Sequence, residues 1–568
     1  MSPDADILPV TSTRTTEGQL EIAGCSLTHL AVLHGTPLYL YDQATIDAAL
    51  AAYRAALAAH WPGQAEIAYA AKAWLSTAMA QWAASAGLGL DVVSEGELRH
   101  ALHAGFPAER LHAHGNNKSF DFLRACVAEG VGRVVIDHPQ EVERLITICK
   151  TRGKQQRMWL RLNPATAAET HSSIETGSAT SKFGLSMADG TALRVATRVQ
   201  QSEWLDWQGL HFHIGSQISD PAPFCEAIRK VFRWVEEVRQ ELDWTPREFS
   251  PGGGWAVPYT PGAPCLTPEQ AVPALAQTLL AEVERIHVPL PTLVLEPGRE
   301  LVARAGVALY RVSAPKQAGT SRYAFLDGGL GDNPRPALYN APYHALLANR
   351  TGTEVTQSYT LAGPFCESGD VLIRDIALPE LRENDVLAVP VSGAYQLSMA
   401  STYNGTPRPA VLWLREGTAQ LIQRRETFAE LWKRDIGLYS EVTPDATRYQ
   451  EQVATLIEHL ELVQRRPLLY LFPPPRHYAL RTYLAALYTG SHIWGLEPDV
   501  QLRDTIALDR GWDLTHNALT SMLERGLNEE QIVDELLTIE IEMWKRILQN
   551  ITASKGANTY GNHTPDPD

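Results

Sequence analysis

Cysteine and long apolar segments are both scarce in this sequence. Its six cysteines are scattered among 568 residues, and none belongs to a C-x-x-C pair. This spacing argues against a disulfide framework or a zinc ribbon and suits a reducing cytoplasm. No apolar run reaches the roughly 18–20 residues of a membrane-spanning helix, and the polar N-terminal segment lacks the apolar core of a signal peptide. We therefore expect a cytoplasmic protein that does not enter a membrane.

Positive charge is in deficit as well. The chain has 49 lysine and arginine residues against 65 aspartate and glutamate residues, a formal net charge of -16. Binding to a phosphate backbone requires clustered positive charge, so we expect no nucleic-acid partner. The chain is longer than a single hydrophobic core usually supports, which predicts two or three domains.

Strand-like and helical segments alternate from residue 36 to 310. The strand-like runs are LYLYD (38–42), EIAYAA (66–71), LGLDVVS (88–94), RVVID (133–137), MWLRLN (158–163), LHFHIGS (210–216), EFSPGGG (248–254) and LVLEPG (293–298). About eight such units predict an α/β fold with a (β/α)8 TIM barrel, whose active site lies at the C-terminal ends of the strands. A doubly wound sheet is the alternative, but no G-x-G-x-x-G follows the first strand.

The regions outside this segment have a different texture. Residues 311–425 alternate in short runs between Pro and Gly turns, which predicts an antiparallel sheet or β-barrel domain. We expect the N-terminal segment 1–35 to contribute to this domain through the strand-like run 27–35. Residues 527–549 place apolar side chains at helical spacing, and we expect residues 426–555 to form a helical C-terminal extension. The polar tail 556–568 is expected to be disordered.

The run GPFCESGD (363–370) sets a thiol beside a carboxylate. It lies in a loop bounded by Gly and Pro, and such loops often hold positioned catalytic groups. Taken alone, Cys366 could be a nucleophile, a proton donor, a metal ligand or an ordinary buried thiol.

Further polar residues follow predicted strands. Lys72 comes after EIAYAA beside Trp74, so we expect it in the barrel mouth, partly desolvated and usable as a Schiff-base nucleophile. An isolated lysine is more often an ordinary surface residue. Gly252-Gly253-Gly254 offers backbone N–H groups to a phosphate. Glu296 and Arg299 supply a carboxylate for a ring nitrogen and a guanidinium for an anion.

Two histidines lie close together in the run HFHIGS (211–216). His211 and His213 are two residues apart on a predicted strand and therefore share one face. An H-x-H pair can bind zinc, but no third ligand is evident. A planar imidazole also suits stacking on an aromatic cofactor.

Ten motifs follow one another along residues 25–420. They are YAAKAW (69–74), DVVSEGEL (91–98), HGNNKS (114–119), HSSIETGSATSKFG (171–184), HFHIGSQ (211–217), SPGGGW (250–255), EPGRELVA (296–303), DGGLGDNPRPALYNAPYH (327–344), GPFCESGD (363–370) and GAYQLSMASTYNGTPRP (393–409). In this order the chain resembles the fold-type III pyridoxal phosphate (PLP) enzymes of the diaminopimelate decarboxylase family, which are related to alanine racemases and ornithine decarboxylases. The resemblance implies a PLP cofactor, an alanine-racemase-like barrel and a second β-domain.

The resemblance also implies a role for each site residue. Lys72 would hold the cofactor covalently, His213 would stack on its ring and Glu296 would bond the ring nitrogen. The other cofactor-binding residues would be Ser216, Gly252, Gly253, Gly254, Gly298, Arg299 and Tyr395. The substrate would be bound by Arg299, Arg335, Tyr339, Glu367 and Tyr395. In this family the Cys-Glu loop comes from the neighbouring subunit, so Cys366 and Glu367 imply a homodimer with shared sites.

The reaction expected from this set is decarboxylation of an amino acid. A carboxylate beside the ring nitrogen keeps that nitrogen protonated and strengthens the ring as an electron sink. Alanine racemases place an arginine there, so Glu296 favours decarboxylation over racemisation. Because Lys72 already supplies the covalent link, Cys366 fits a general acid better than a nucleophile. We expect no metal: the family places the four histidines between residues 100 and 114 on a helix surface and in a loop.

Several residues depart from the family pattern. They are Trp74 and Gly331 in place of asparagines, Ser173 and Glu175 in place of a tyrosine and a small residue, and Ser250, Pro251 and Trp255 in place of Asp or Asn, Leu and Leu. Added bulk at Trp74 and Trp255, with the carboxylate of Glu175, predicts a pocket reshaped for another substrate.

Three functions are therefore weighed. The first is decarboxylation of meso-diaminopimelate to L-lysine and CO2. The second is decarboxylation of another amino acid, or of an amino-acid moiety in a siderophore or antibiotic precursor. The third is an inert PLP-binding scaffold. The region beyond residue 425 has no counterpart in the family, and it is interpreted either as a helical appendage packed on the dimer or as a module that docks a partner.

Overall fold

The computed structural model of the chain describes residues 4–166, 181–351 and 357–436, together with residues 525, 535, 538, 542 and 545. The chain divides into two compact units, residues 1–433 and 434–568, and the barrel described below lies in the first. Most of the predicted helical extension, the whole tail 556–568, and the departures Ser173 and Glu175 lie outside the described residues.

In the part of the chain that the structure describes, eight parallel strands close into a barrel, and the predicted fold class is confirmed. Each strand pairs with the next one along the chain, and the last pairs with the first. The strands are Ala65–Ala70, Gly89–Val92, Leu111–Ala113, Arg133–Ile136, Gln156–Asn163, Leu205–His211, Glu248–Gly252 and Thr292–Leu295. Because all pairings are parallel, the C-terminal ends of the strands meet at one mouth.

Helices cover the outside of the barrel. They are Gln43–His60, Thr77–Ser85, Glu95–His103, Phe120–Glu129, Pro139–Arg152, Thr191–Gln200, Ala222–Leu242 and Pro268–Ile286. Several begin where a side-chain oxygen accepts a backbone N–H of the first turn, as at Asp42, Ser76 and Ser94. The helix Gln43–His60 precedes the first barrel strand and packs against Pro268–Ile286, so it closes the ring.

A second sheet stands beside the barrel. Its strands are Leu38–Asp42, Gly306–Ala318, Ser321–Leu326, Leu346–Leu347, Gln357–Ala362, Val371–Leu378, Val386–Val389, Ala410–Arg415 and Thr418–Gln423. The sheet was expected to be antiparallel and is mixed. Leu38–Asp42 runs parallel to Ala410–Arg415, and Ser321–Leu326 runs parallel to Gln357–Ala362. Parallel neighbours need a long crossover connection. The connection between Leu38–Asp42 and Ala410–Arg415 includes the whole barrel.

Two strand assignments from the sequence were wrong. LYLYD was counted as a barrel strand, but Leu38–Asp42 pairs with two strands of the second sheet. The third barrel strand, Leu111–Ala113, was missed because it is only three residues long and has a histidine at its centre. The two errors cancelled in the count of barrel strands.

The segment 27–35 was also wrongly expected to be a strand. Leu27–His34 is an α-helix, and Ser26 accepts the N–H of His29 at its start. Leu27, Leu30 and Ala31 are buried at helical spacing. They pack in one apolar cluster with side chains of the second sheet. Three short strands precede the helix, Thr13–Arg14, Leu20–Ile22 and Cys25–Ser26.

Short elements complete the described chain. They are the helices Arg299–Val302, Arg335–Tyr339, Gln396–Met399 and Phe428–Leu431, the 3-10 turns Ala71–Ala73, Ala108–Arg110 and Tyr403–Gly405, and the strand Leu185–Ser186. None of the helices among the described residues combines the length and the apolar content needed to span a bilayer.

A buried ion pair fixes the loop after the third barrel strand. The Lys118 ammonium lies 3.0 Å from the Glu141 carboxylate, and neither side chain is exposed. Nζ also donates to the carbonyls of Gly115 and Val135 at 2.7 and 2.6 Å. Glu141 in turn accepts the backbone N–H groups of Lys118 and Asp137.

We expect Lys118→Met to lower the free energy of unfolding by about 3–5 kcal/mol, because it leaves the Glu141 carboxylate buried without its counter-charge. Urea unfolding followed by circular dichroism measures this loss. The matched control is Lys150→Met at an exposed position of the helix Pro139–Arg152. A loss no larger than that of the control would contradict the prediction.

Candidate active site

Lys72 lies in a tight turn at the C-terminal end of the first barrel strand. The turn is the 3-10 segment Ala71–Ala73, whose two alanines are buried together with Trp74. The Lys72 side chain itself is exposed, whereas the sequence predicted partial desolvation. The reason is that its apolar neighbours point into the core while Lys72 points out of it. Lys72 nevertheless acts electrostatically on His211 and His213, which places its amine near both histidines at the mouth.

Glu296 follows the last barrel strand and is buried at the same mouth. One carboxylate oxygen accepts the Ser250 hydroxyl at 2.6 Å, and the other lies 3.0 Å from Nε2 of His211. Burial and the charge of Asp91 raise the pKa of Glu296 above its usual value. Burial also lowers the pKa of His211 and His213 well below the usual value, so both imidazoles are neutral. Ser250, a departure from the family pattern, is therefore a direct partner of Glu296.

Asp91, His112 and His114 extend this polar cluster into the barrel. Nδ1 of His112 lies 3.0 Å from Asp91, and Nε2 of His114 lies 3.6 Å from Asp91 and 3.9 Å from Glu296. His112 was expected on a loop, but it lies inside the barrel in the strand Leu111–Ala113 and is fully buried. The sequence had no signal for this cluster, because alternate burial of polar residues in a three-residue strand cannot be read from periodicity.

Asp91, His112 and His114 are close enough together to ligate a metal. However, both ring nitrogens of His112 already have partners, since Nε2 accepts a hydrogen bond from Arg133 at 2.9 Å while Nδ1 faces Asp91. A hydrogen-bonded imidazole of this kind offers no lone pair to a cation.

The glycine triplet forms a cradle against neighbouring strand ends. A Cβ at Gly253 would lie 2.1 Å from the carbonyl oxygen of Glu296, and one at Gly254 would lie 2.0 Å from that of Gly215. Gly252 and Gly254 also have positive φ angles of 73° and 103°. These positions therefore require glycine. The ring of His213 lies against the cradle, within 3.0 Å of where Cβ atoms would stand at Gly252 and Gly254.

Glu300 organises the amides of this cradle. Its carboxylate accepts the backbone N–H groups of Gly254, Trp255 and Gly298. The amide of Gly252 donates to the Ser250 hydroxyl at 3.1 Å. Thus four of the amides near the expected phosphate position have partners within the protein, and the Glu300 carboxylate, which accepts from two of the glycines, was not singled out from the sequence.

Two arginines and three tyrosines form a cage beside the cradle. Arg299 donates to the hydroxyl of Tyr259 and to Ser216 Oγ, the latter at 3.0 Å, and its guanidinium lies 4.5 Å from the ring centroid of Tyr395. The Arg335 guanidinium lies 4.6 Å from the ring centroid of Tyr259. Cation–π contacts of this kind hold both arginines in defined orientations.

Arg335 is bonded by a tyrosine that the sequence did not single out. Its Nη1 donates to the hydroxyl of Tyr343 at 2.6 Å, and Gln396 donates to the same hydroxyl. Tyr339 lies one turn away in the short helix Arg335–Tyr339 and is half-buried. The site thus has a tyrosine in direct contact with Arg335 in addition to the one predicted.

Tyr395 is held against the lysine turn. Its backbone N–H donates to the carbonyl of Ala73 at 2.7 Å, and Ser398 donates to the same carbonyl at 3.0 Å. Gly393, two residues earlier, approaches Val302 so closely that a Cβ would lie 1.8 Å from its carbonyl oxygen. The close approach at Gly393 lets this segment of the second domain dock on the barrel mouth.

The Cys366-Glu367 loop is built by Asp370. The Asp370 carboxylate accepts the N–H groups of Phe365 and Leu330 at 2.8 and 2.7 Å. Cys366 and Glu367 are both exposed. Among the described residues, no hydrogen bond or ion pair joins either side chain to Lys72, Glu296 or the two arginines.

Three departures from the family pattern have structural explanations. Trp74 is stacked on Tyr41 at 3.7 Å and Trp255 on Tyr53 at 5.1 Å, and both indoles are fully buried. Their bulk therefore fills the core, and the prediction that they reshape the pocket is not supported by their packing. A Cβ at Gly331 would lie 2.4 Å from the ring of Phe365, so the Cys-Glu loop leaves no room for an asparagine there.

The residues at the mouth fit PLP. A buried carboxylate suits a protonated ring nitrogen, the glycines allow close approach of the backbone at the strand ends, and Arg299 and Ser216 supply donors for an anion. Lys72 is the amine next to these groups.

Comparison with known proteins gives the same family. Residues 43–303 match the family model described as the pyridoxal binding domain of pyridoxal-dependent decarboxylases. The chain is 42% identical to the diaminopimelate decarboxylase of Bacillus subtilis over 427 residues, which are 75% of this chain and 97% of that protein. It is 40% identical to the enzyme of the same name from Actinosynnema pretiosum over 425 residues, 75% of this chain and 94% of that protein.

Solved structures agree with the sequence relatives. The diaminopimelate decarboxylase of M. jannaschii superposes with a TM-score of 0.72 at 32% identity, covering 76% of this chain and 98% of that one. The Helicobacter pylori enzyme in complex with L-lysine has a TM-score of 0.66 at 31% identity and covers 72% and 98% of the two chains. This chain therefore belongs to the diaminopimelate decarboxylase family and is a PLP-dependent decarboxylase.

Proposed function

We propose that the substrate is meso-diaminopimelate and that the products are L-lysine and CO2. The observation that supports decarboxylation most is the buried Glu296 carboxylate, held by Ser250 and His211 at the same mouth as Lys72. The relatives from Bacillus subtilis and Actinosynnema pretiosum, which this chain matches over 97% and 94% of their length, are diaminopimelate decarboxylases. The amino-acid substrate class follows from the family.

Each residue at the mouth has a task in this reaction. Bound PLP supplies a ring that accepts the electron pair left when CO2 departs. Lys72 would provide the amine that holds the cofactor, and Glu296 would keep a proton on the ring nitrogen. His213 would pack against the ring. Ser216, Arg299 and Gly253 would hold the phosphate, and Glu300 keeps the cradle in shape through the amides on the C-terminal side of Gly253.

Arg299, Arg335 and Tyr339 bind the carboxylates of the substrate. Both guanidiniums are restrained by aromatic rings, so their remaining N–H groups are already oriented for a carboxylate. Because a substrate with two carboxylates and two amines also needs an acceptor for its distal ammonium, Glu367 serves at that end. The preference for a long dicarboxylate over a simple α-amino acid depends on these charges.

Cys366 and Glu367 act in the site of a second copy of the chain. The support is that both side chains are exposed and lie in a loop stiffened by Asp370, without polar contact with the Lys72 site of the same chain. A homodimer with shared sites satisfies both facts. Cys366 then donates the proton that replaces the lost carboxylate.

The proposed setting is the cytoplasm. All six cysteines lie in the described part of the chain, and none is paired with another. Unpaired cysteines, four of them buried, suit a reducing compartment.

A substrate panel tests the function. The PLP-loaded protein is incubated with meso-diaminopimelate, LL-diaminopimelate, L-lysine, L-ornithine and L-arginine, and CO2 and the amine or amino-acid product are measured. We expect L-lysine from meso-diaminopimelate, with kcat/KM at least about 100-fold above that of the other compounds, since a missing charge partner in a built site costs a factor of this size or more. Faster turnover of ornithine or arginine would reject the proposed substrate and leave the family intact.

A further inference from the structure

Three polar residues are registered side by side across neighbouring barrel strands. Asp91 pairs with His112, and His112 pairs with Arg133, across the second, third and fourth strands. Registered residues of parallel strands point to the same side of the sheet, and all three are buried inside the barrel. Barrel interiors are usually filled by branched apolar side chains. A row of polar side chains in this position therefore needs hydrogen-bond partners within the protein.

The hydrogen bonds fix the direction of each donor in the row. A guanidinium has no acceptor, so Arg133 Nη1 must donate to Nε2 of His112, at 2.9 Å. His112 is then neutral, with its proton on Nδ1, and it donates to Asp91 at 3.0 Å. Burial alone would favour the neutral carboxyl of Asp91, but the neighbouring His114 and the hydrogen bond from His112 outweigh it and lower the pKa of Asp91.

One end of the row reaches the N-terminal opening of the barrel. Arg133 makes a two-point contact with Glu248 at 2.8 and 2.6 Å and lies 3.1 Å from Glu66, whose side chain is 45% exposed. A cavity of about 590 Å³ opens there, and Glu66, His112 and Arg133 help to line it. The orientation of Arg133 is therefore set from the side of the barrel opposite to the candidate site.

The other end of the row reaches Glu296. Nε2 of His114 lies between the two carboxylates, 3.6 Å from Asp91 and 3.9 Å from Glu296, and this buried atom has no hydrogen-bond partner among the described residues. Its ring meets the ring of His211 edge-on at 4.9 Å. A proton on His114 Nε2 would therefore act electrostatically on both carboxylates.

We propose that Arg133, His112 and Asp91 are positioning residues that keep the Asp91 charge in place beside His114 and Glu296 and thereby stabilise the proton on the cofactor ring nitrogen. The inference rests on the proposed role of Glu296 as the partner of that nitrogen. The row does not touch the reacting atoms. It acts on them through the negative charge that Asp91 maintains in the barrel interior.

Other charged groups also lie around Glu296 and contribute to the electrostatic potential at the ring nitrogen. Arg161 is buried nearby and lies 3.3 Å from Asp137, which neutralises it. Lys72 acts on His211 and His213 from the mouth. Asp91 itself is kept ionised by His114, 3.6 Å away, and by the Nδ1–H of His112.

The test uses the full chain loaded with PLP that is labelled with 15N at the ring nitrogen. The chemical shift of this nitrogen is followed by NMR as a function of pH, and the midpoint of its deprotonation is compared among variants. We expect His112→Phe to move the midpoint to lower pH by about one unit, because Asp91 loses a donor to its charged form. His112→Gln keeps an acceptor toward Arg133 and a donor toward Asp91. Its midpoint should therefore lie close to that of the wild type.

Asp91→Asn removes the charge at nearly constant volume and should also move the midpoint to lower pH. If His112→Phe does not fold, the midpoint of Asp91→Asn alone tests the proposal. Arg157→Met is the matched control, since this residue lines the same cavity, is 64% exposed and is not in the row; its midpoint should equal that of the wild type. Wild-type midpoints in both His112→Phe and Asp91→Asn would overturn the proposal. If Glu296→Gln also leaves the midpoint unchanged, the proposed role of Glu296 fails as well, which distinguishes the two failures.

Discussion

Lys72→Ala is expected to abolish decarboxylation while leaving the barrel folded. Turnover should fall by about 10⁴-fold or more, the scale found when the covalent group of an active site is removed. The absorption band of the covalently held cofactor should disappear with it. The physical reason is local: the turn Ala71–Ala73 presents one amine to the mouth, and alanine has none. Steady-state kinetics with meso-diaminopimelate and an absorbance spectrum measure both effects.

The control for this variant is Lys150→Ala, an exposed helix position away from the mouth. It should retain the wild-type rate and the wild-type band. Because the phosphate cradle and Glu296 remain in Lys72→Ala, the variant should still bind PLP, with weaker affinity and without the covalent band. A Lys72→Ala protein that keeps the band would show that another lysine holds the cofactor.

Cys366→Ala is expected to lower kcat by about 10²–10⁴-fold, the usual range for removal of a general acid. The cofactor band should be unchanged, since Cys366 contacts neither Lys72 nor Glu296 through a hydrogen bond or ion pair of the described residues. The exposed thiol is free to serve a second copy of the chain, because Asp370 and Asn404 hold only the backbone around it. An unchanged kcat would reject the role as proton donor.

Mixing the two inactive variants tests whether the sites are shared. If Cys366 serves the partner's Lys72, a dimer of one Lys72→Ala chain and one Cys366→Ala chain has one intact site and one doubly damaged site. An equal mixture, exchanged to equilibrium, should therefore recover about a quarter of the wild-type activity, because half of the dimers are mixed and each has one of two sites. Recovery near zero would place Cys366 with the Lys72 of its own chain.

The barrel was predictable because its strands are apolar runs separated by helices of regular length. The errors have physical causes. LYLYD has the composition of a barrel strand, but composition does not say which strands it pairs with. Leu38–Asp42 precedes the first barrel strand and pairs with Gly306–Ala318 of the second sheet. LTHLAVLHG reads equally well as strand or helix, and Ser26 at its start selects the helix.

The site was predictable only where motifs mark strand ends. Lys72, Glu296, Arg299 and the glycines were predicted from motifs at strand ends, and the structure places these motifs at one mouth of the barrel. Their partners were not, since Ser250, Tyr343 and Glu300 act through contacts made across the fold. The buried row Asp91, His112 and Arg133 shows the same limit, because strand register sets it and a single sequence does not display register.

Reductive trapping followed by peptide mapping tests the central claim most directly. Borohydride reduction of the PLP-loaded wild-type protein fixes the cofactor to the amine that holds it, and mass spectrometry then identifies the modified peptide. The structure predicts one phosphopyridoxyl group per chain, on Lys72. Modification of another lysine, such as the buried Lys118, with Lys72 unmodified would contradict the assignment of the site.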